Sequence, residues 1–484
     1  MQDSEVVSIE NGKQQPANSE LETPLWVTHN EPHYSAGPRR WWQLFVYSLI
    51  TTNQTYNWIF YASLPDQTKS LFPAVTNASF FMFLNWGPIM FIPCQPIATW
   101  LLYRPNGVKN SLIIASALCA ICTLVRYSPV FFSCSNETTL VLLNLGQIIN
   151  AWAGPLINSL PSKVAADWFP DNERATATAI GSTISNLGTL ISLALAFLVT
   201  SDDEFRYTIL IHAILSSFLC LLTLLTIAQA PAEFPSAVGA AAAYCTVREG
   251  CGDISNVNES SSYTALKKMM IEVRVCFRNR SFFLIVVVGG LFTGVGGVWG
   301  SIFPVLVGTQ GYSTQFGTWL GITCNVGGLI GGLLSGLVCD TIFVRNFKRV
   351  SLLYMVLSVI FFIPFTLSFP IPSPFGDWSM LQSIMGGDIM VVTMVAGIGF
   401  CLTGFTPPAL ELAAELTYPT PEGTSAGIYF FVQNASSFGL LFCLMNIDPI
   451  WSNSIMLGTC IVCCILLLFV VEEHARFLAG KLVT

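Results

Sequence analysis

Apolar segments of roughly 20 residues recur along the whole chain, parted by short polar stretches. That is the length at which an α-helix crosses the hydrocarbon of a bilayer. The pattern predicts twelve membrane helices, near 42–64, 79–102, 110–131, 139–165, 174–200, 207–229, 281–308, 316–340, 350–369, 388–412, 424–446 and 450–472. The second is broken by Pro88, Pro93 and Pro96. About 50 mostly polar residues, 230–280, part the sixth segment from the seventh. The predicted organisation is a tail over 1–40, a six-helix half over 41–230, a linker over 231–280, a second six-helix half over 281–473 and a tail over 474–484.

Composition agrees with an all-α polytopic membrane protein. Only 10% of the 484 residues are charged and 53% are hydrophobic, against about 25% charged in an ordinary soluble domain. The net charge of -7 says little about partners, and no basic run points to nucleic acid, so no nucleic-acid partner is expected. The first 38 residues lack an apolar core and read as a disordered tail rather than a cleaved signal. Of the 21 Lys and Arg, eighteen fall on the side of the N-terminus and three, Lys69, Arg126 and Arg206, on the other. By the positive-inside rule both termini are cytosolic. Fifteen cysteines lie mostly inside apolar segments without histidine partners, so they read as small packing residues, and neither a metal nor a cofactor is expected.

The halves repeat one another. "FPDNERATA" (169–177) follows the fourth segment and "YPTPEGTSA" (418–426) follows the tenth, both aromatic-Pro-x-x-Glu-x-x-Thr/Ser-Ala. Two parallel six-helix repeats are the architecture of the major facilitator superfamily. "GLLSGLVCDTIFVRNFKR", with Gly332, Gly336, Asp340 and Arg345, is similar to that superfamily's cytosolic loop motif, whereas the first-half counterpart "LLYRPNGVKN" lacks the acidic residue.

"RRWWQLFVYSL", "NWIFYAS", "GQIINAWAGPLINSLPSKVAADWFPDNERATATAI" and "LELAAELTYPTPEGTSAG" resemble the FLVCR-related proteins, solute carrier family 49. "NAWAGP" and "ERATATAI" look most like its disrupted in renal carcinoma protein 2 branch. The resemblance implies a carrier of small organic solutes. Choline and ethanolamine are the substrates described in the family, and haem export is also claimed. Lysosomal residence and proton-linked pyridoxine transport are associated with the branch. In the choline carriers a Trp of the first helix and a Tyr of the seventh enclose the substrate, and the matching positions here are Trp58 and Trp299. Their glutamine in the eleventh helix maps to Asn434, and their glutamine in the fourth to Gly154, a departure.

The residues themselves carry a compatible chemistry. "NQTYNWIFYAS" (53–63) places Asn53, Gln54, Thr55 and Asn57 inside the first helix, where lipid-facing positions do not tolerate them. Gln54 and Trp58 are four apart and share a face. Cavity lining is the functional reading, and hydrogen bonding between helices the structural one. Gln147 and Asn150 of the fourth helix and Asn434 of the eleventh complete an uncharged amide set suited to hydroxyls, amines and ring nitrogens. No Asp or Glu sits near the middle of a predicted span, so aromatic faces are left to attract a cationic or planar solute. The glycines of the seventh and eighth helices, Gly328, Gly332 and Gly336 among them, suit close packing.

Glu173, Arg174, Asp340, Arg345, Glu411, Glu415 and Glu422 gather at the cytosolic ends and form the expected gate, with proton coupling as the sharper alternative. His212 is the lone histidine within a span. Enzyme motifs and a Gly-x4-Gly-Lys-Ser/Thr phosphate loop are lacking, so transport must run on gradients. A receptor or scaffold would need a folded recognition domain. The expected protein is a monomer in the lysosomal or plasma membrane, its partners a small-molecule substrate, protons and the lipid bilayer. Asn136 is exposed to glycosylation on the outer face.

Overall fold

The structure, a computed structural model, describes residues 37–474 except 105, 133, 229–230, 232–259, 310–312, 369–386 and 445–450. Almost all of both tails, together with Cys251 and Asn258, lies outside the described residues.

Seventeen helices are described. In the first half they are α1 (Arg39–Ser63), α2 (Pro65–Leu71), α3 (Asn77–Leu102), α4 (Gly107–Phe131), α5 (Asn136–Asn158), α6 (Pro161–Trp168), α7 (Arg174–Thr183), α8 (Ser185–Leu198) and α9 (Asp202–Thr226). The linker contributes α10 (Ser260–Arg278). The second half holds α11 (Arg280–Thr309), α12 (Thr314–Thr341), α13 (Phe347–Leu367), α14 (Asp388–Gly404), α15 (Thr406–Thr417), α16 (Glu422–Leu444) and α17 (Trp451–Leu468). Among the described residues, nine stretches are long and apolar enough to cross a membrane. α1, α16 and α17 coincide with the three other predicted spans. Large apolar side chains cover their outer faces, Leu198, Leu225 and Ile342 each more than 70% exposed, as a lipid solvent requires.

Local chemistry explains the helix boundaries. Ser201 and Glu204 form a capping box at the start of α9, and Thr76 and Ser79 form one at α3. Three predicted spans are divided. Pro161 opens α6 and Pro407 opens α15, each at a position where a missing N–H costs nothing. Between α7 and α8, Ser182 and Thr183 donate their hydroxyls to carbonyls four residues back, which bends helices. α3 is not interrupted at its prolines but runs through all three. Pro88 cannot donate to the Leu84 carbonyl, and the Trp58 indole N–H donates to it instead at 3.1 Å. The last part of the linker is helical, as α10.

Each half has its own apolar core. Phe282, Phe292, Phe362, Phe365 and Tyr429 anchor the second, and Leu44, Val46, Ile50, Phe60 and Phe205 anchor two clusters in the first. The repeat is visible in the backbone. The two repeated motifs bridge α6 to α7 and α15 to α16, Glu173 standing just before α7 and Glu422 opening α16. Among the described residues, two non-glycine residues have positive φ, Asn106 (61°) and Arg345 (62°), and they occupy the matching turns after α3 and after α12.

The halves meet along α12. A Cβ on Gly332 would stand 1.9 Å from the Thr183 methyl, and one on Gly336 2.4 Å from Ala179, so these glycines seat α12 against α7. Gly327 and Gly331 set the adjoining face of α12 against the α14 backbone. The end of the bundle where α10 lies is called the linker end below.

Candidate functional site

The polar residues of α1 divide by helical face, positions 53 and 57 on one and 54 and 58 on the other. On the first face, Asn53 Oδ1 accepts from the Ser216 hydroxyl at 2.9 Å and pairs with His212 Nε2 at 3.0 Å, both on α9. Asn57 is fully buried against α4, where its main-chain oxygen and Oδ1 accept from Arg126 Nη1 at 2.8 and 3.4 Å. These two amides bind helices together. Arg126, counted at the outer end of the predicted span 110–131, is enclosed within the protein, 2% exposed in α4.

On the second face, Gln54 and Asn150 each donate a side-chain N–H to the other's main-chain oxygen, at 3.5 and 3.2 Å. Gln147 donates to the main-chain oxygens of Trp58 and Phe83 at 3.1 and 3.2 Å. The half-buried Trp58 ring lies over Gly87 of α3, where a Cβ would stand 3.0 Å from its nitrogen. Gln54 in turn lies beside Gly154 and Phe91. Thus α1, α3 and α5 bring Gln54, Trp58, Gln147 and Asn150 into one neighbourhood without an acidic member.

The second-half candidates are arranged differently. Trp299 is 1% exposed, donates its indole N–H to Asn453 Oδ1 at 3.0 Å and packs edge-on against Phe362 and Phe365. It fills the interior of its own half, and the pseudo-symmetry with Trp58 does not extend to its surroundings. The Asn434 amide donates back to the Phe430 carbonyl of α16 at 2.9 Å. A separate apolar recess of about 800 Å³ opens between α13 and α14, lined by Phe361, Pro364, Met390 and Met394 with Asp388 at its edge. It involves none of these candidates.

The charged candidates gather at the linker end. The Asp340 carboxylate, on α12, accepts from the Ala175 N–H at 3.2 Å, the Thr176 N–H at 2.7 Å and the Thr176 hydroxyl at 2.6 Å. It caps the first turn of α7 across the joint between halves, where an anion meets the positive end of the helix dipole. Glu173, which precedes that helix, pairs instead with Arg40 at 3.1 Å, and Arg174 pairs with Asp171 at 2.7 Å. Buried Glu411 accepts from the Thr178 hydroxyl at 2.6 Å, a second link between halves, and Glu415 lies buried one turn further along α15. Burial would lower the Lys163 pKa, but Asp167, 2.7 Å away, and Glu422 of α16 outweigh it and hold the ammonium above its usual range. Burial pushes the Asp167 carboxyl up against the opposing pull of Lys163.

On the other side of the joint the first half has no acid at the position of Asp340. Tyr103, just beyond α3, bonds its hydroxyl to Glu272 of the linker helix and to Thr424 in the first turn of α16, at 2.8 Å for the latter. Burial, with the Glu272 carboxylate beside it, pushes the Tyr103 phenol well up. The linker helix thus supplies the carboxylate that the first-half loop lacks. Arg345 stands in the matching second-half turn. Sequence reasoning missed Tyr103 and Glu272, because only the fold brings the linker to that turn. Asn136 is exposed at the start of α5.

Comparison with known proteins places this geometry. The family model described as Major Facilitator Superfamily matches residues 44–441. The chain is 25% identical over 444 residues to the choline/ethanolamine transporter FLVCR1 of Felis catus, covering 89% of this chain and 71% of that protein. It is 26% identical over 468 residues to solute carrier family 49 member A3 of Xenopus tropicalis, covering 91% and 89%. With the solute carrier family 49 member 4 homolog of the same species it shares 24% over 474 residues, covering 92% and 95%. These identities do not separate one branch from another. Among solved structures it superposes on the proton:xylose symporter XylE with a TM-score of 0.63 at 14% identity, covering 91% and 99%. On the E. coli fucose:proton symporter FucP the TM-score is 0.59 at 13% identity, covering 89% and 100%. The chain belongs to the Major Facilitator Superfamily and is a membrane transporter rather than an enzyme.

Proposed function

We propose that the protein moves a small organic solute of the choline, ethanolamine or pyridoxine type by alternating access, its linker end facing the cytosol. The observation that carries the alternating-access reading is the joint at the linker end. There Asp340 on the α7 amides and Glu411 on Thr178 close the halves together through hydrogen bonds that water replaces when they part. The substrate reading rests on the α1–α3–α5 neighbourhood, where Trp58 offers an aromatic face and Gln54, Gln147 and Asn150 offer amides. Relatives named as choline/ethanolamine transporters support the same class. In this reading Asn57 and Trp299 are framework residues, and Asn434 faces the solute from the second half. Glu411, Glu415, Glu422, Glu173, Arg174, Asp340 and Arg345 form the gate, and a proton gradient drives uptake. The protein works as a monomer in the lysosomal or plasma membrane.

The test is uptake of radiolabelled choline, ethanolamine, pyridoxine and haem into proteoliposomes, with and without an inward proton gradient. Uptake of one of the first three that accelerates with the gradient is expected. Transport of haem alone would replace the substrate class, and gradient-independent uptake would remove the proton linkage.

A further inference from the structure

Arg126 is the buried charge that neither the gate nor the solute neighbourhood uses. Its Cα lies five residues before the end of α4, about 8 Å along the axis, so the side chain is long enough to reach the membrane surface. Instead it is held inside, 2% exposed. Its Nη1 is occupied by Asn57, and its guanidinium lies 5.2 Å from the centre of the Tyr61 ring. Among the described residues no carboxylate forms an ion pair with it.

The remaining two nitrogens, Nε and Nη2, are buried and make no hydrogen bond. They form one edge of the guanidinium, two parallel N–H donors, the fork that takes an anion side-on. Gly146 of α5 lets the arginine stem lie close, since a Cβ there would stand 2.6 Å from Cγ and 3.1 Å from Nε. Two residues beside the guanidinium carry further unpartnered groups, Asn57 Nδ2 and the Tyr61 hydroxyl. An isolated cation in a membrane interior is costly, and a donor-rich surround with no acidic residue recruits negative charge from outside the chain.

We propose that the Arg126 fork binds a small monovalent anion, a halide or a carboxylate of similar size, between α1, α4 and α5. The bound anion cancels the buried positive charge of Arg126 beside the Trp58 neighbourhood, so that a cationic solute meets no net repulsion there.

The test uses the purified full chain at constant ionic strength, melted in sodium chloride, sodium formate or sodium gluconate. Chloride or formate is expected to raise the Tm over gluconate by about 3 °C along a saturating curve. Whichever of the two acts identifies the source of the charge. R126M should lose the response, and R126K, which keeps the charge but not the fork, should need roughly ten-fold more anion. Where R126M does not fold, anomalous scattering from bromide-soaked crystals of the unaltered protein answers directly, with a peak expected at the Nε–Nη2 edge. Equal Tm in all three salts, an undiminished response in R126M, or bromide bound only elsewhere would overturn the proposal.

Discussion

At the residue scale, the two tryptophans separate by what surrounds them. Trp58 is half-buried and held by one hydrogen bond to a carbonyl that Pro88 leaves open. Trp299 is enclosed by Phe362, Phe365 and Asn453. Trp58→Ala is expected to weaken solute binding by roughly ten- to thirty-fold, the value of one desolvated aromatic face, while leaving the Tm nearly unchanged. Phe at that position should retain more binding than Leu. Trp299→Ala should do the reverse, costing about 3–5 kcal/mol of stability through the cavity it opens, with affinity preserved in whatever fraction folds. Calorimetric titration beside thermal melts of both variants checks the pair, and equal affinities for Phe and Leu at 58 would assign recognition to Gln54 and Asn150. Part of this was legible in the sequence: the four-residue spacing put Gln54 with Trp58, but sequence reasoning set Asn57 beside them, whereas it turns to Arg126 of α4 on the face that Asn53 shares. Which neighbour each face meets was not, because that depends on helices far along the chain. Arg126 was misplaced for a related reason. A charge near a helix end reads as interfacial, and only the packing of Gly146 shows that it is enclosed.

At the scale of elements, the glycine face of α12 and the buried acids of α15 control how the halves meet. Gly332→Ala would place a methyl inside the van der Waals radius of Thr183, a side chain fixed by its own bond to Ala179. α12 and α7 must then separate. The expected result is a shift toward linker-end-open molecules, read as faster cysteine modification at positions introduced along α7, with a Tm lowered by a few degrees. Unchanged modification rates would show that the joint is already apart in most molecules. Glu415→Gln is expected to slow turnover while leaving affinity within a few-fold, because Glu415 lies in the gate rather than beside Trp58. Collapse of affinity with turnover intact would make it a binding residue. The Asp340 loop was legible as a motif. Its donors at the start of α7 were hidden, since nothing in "ERATATAI" announces that the cap comes from the other half.

For the whole molecule, hydrophobic periodicity and one internal repeat carried most of the fold. Composition could not foresee divided spans, because the breaks at Pro161, Pro407 and Ser182–Thr183 alter helix direction without altering hydropathy. The topology prediction remains the charge bias of eighteen against three, or eighteen against two once Arg126, buried against Asn57 of α1, is set aside. Membrane-impermeant maleimide applied to intact cells should leave Cys251 unlabelled until the membrane is permeabilised. Ready labelling from outside would invert the orientation.

The trans-cap at Asp340 has a spectroscopic corollary. The main-chain N–H groups of Ala175 and Thr176 are protected by a carboxylate that belongs to the opposite half, so their solvent exchange is tied to the facing direction of the carrier rather than to unfolding of α7. Amide hydrogen–deuterium exchange at these two positions should be fast when the linker end is open and slow when it is closed. Asp340→Asn, at a cost of about 1 kcal/mol, should raise their exchange roughly five-fold while the middle of α12 stays protected. Two protons at one helix start would then report, without label or ligand, how long the molecule dwells on each side of the membrane.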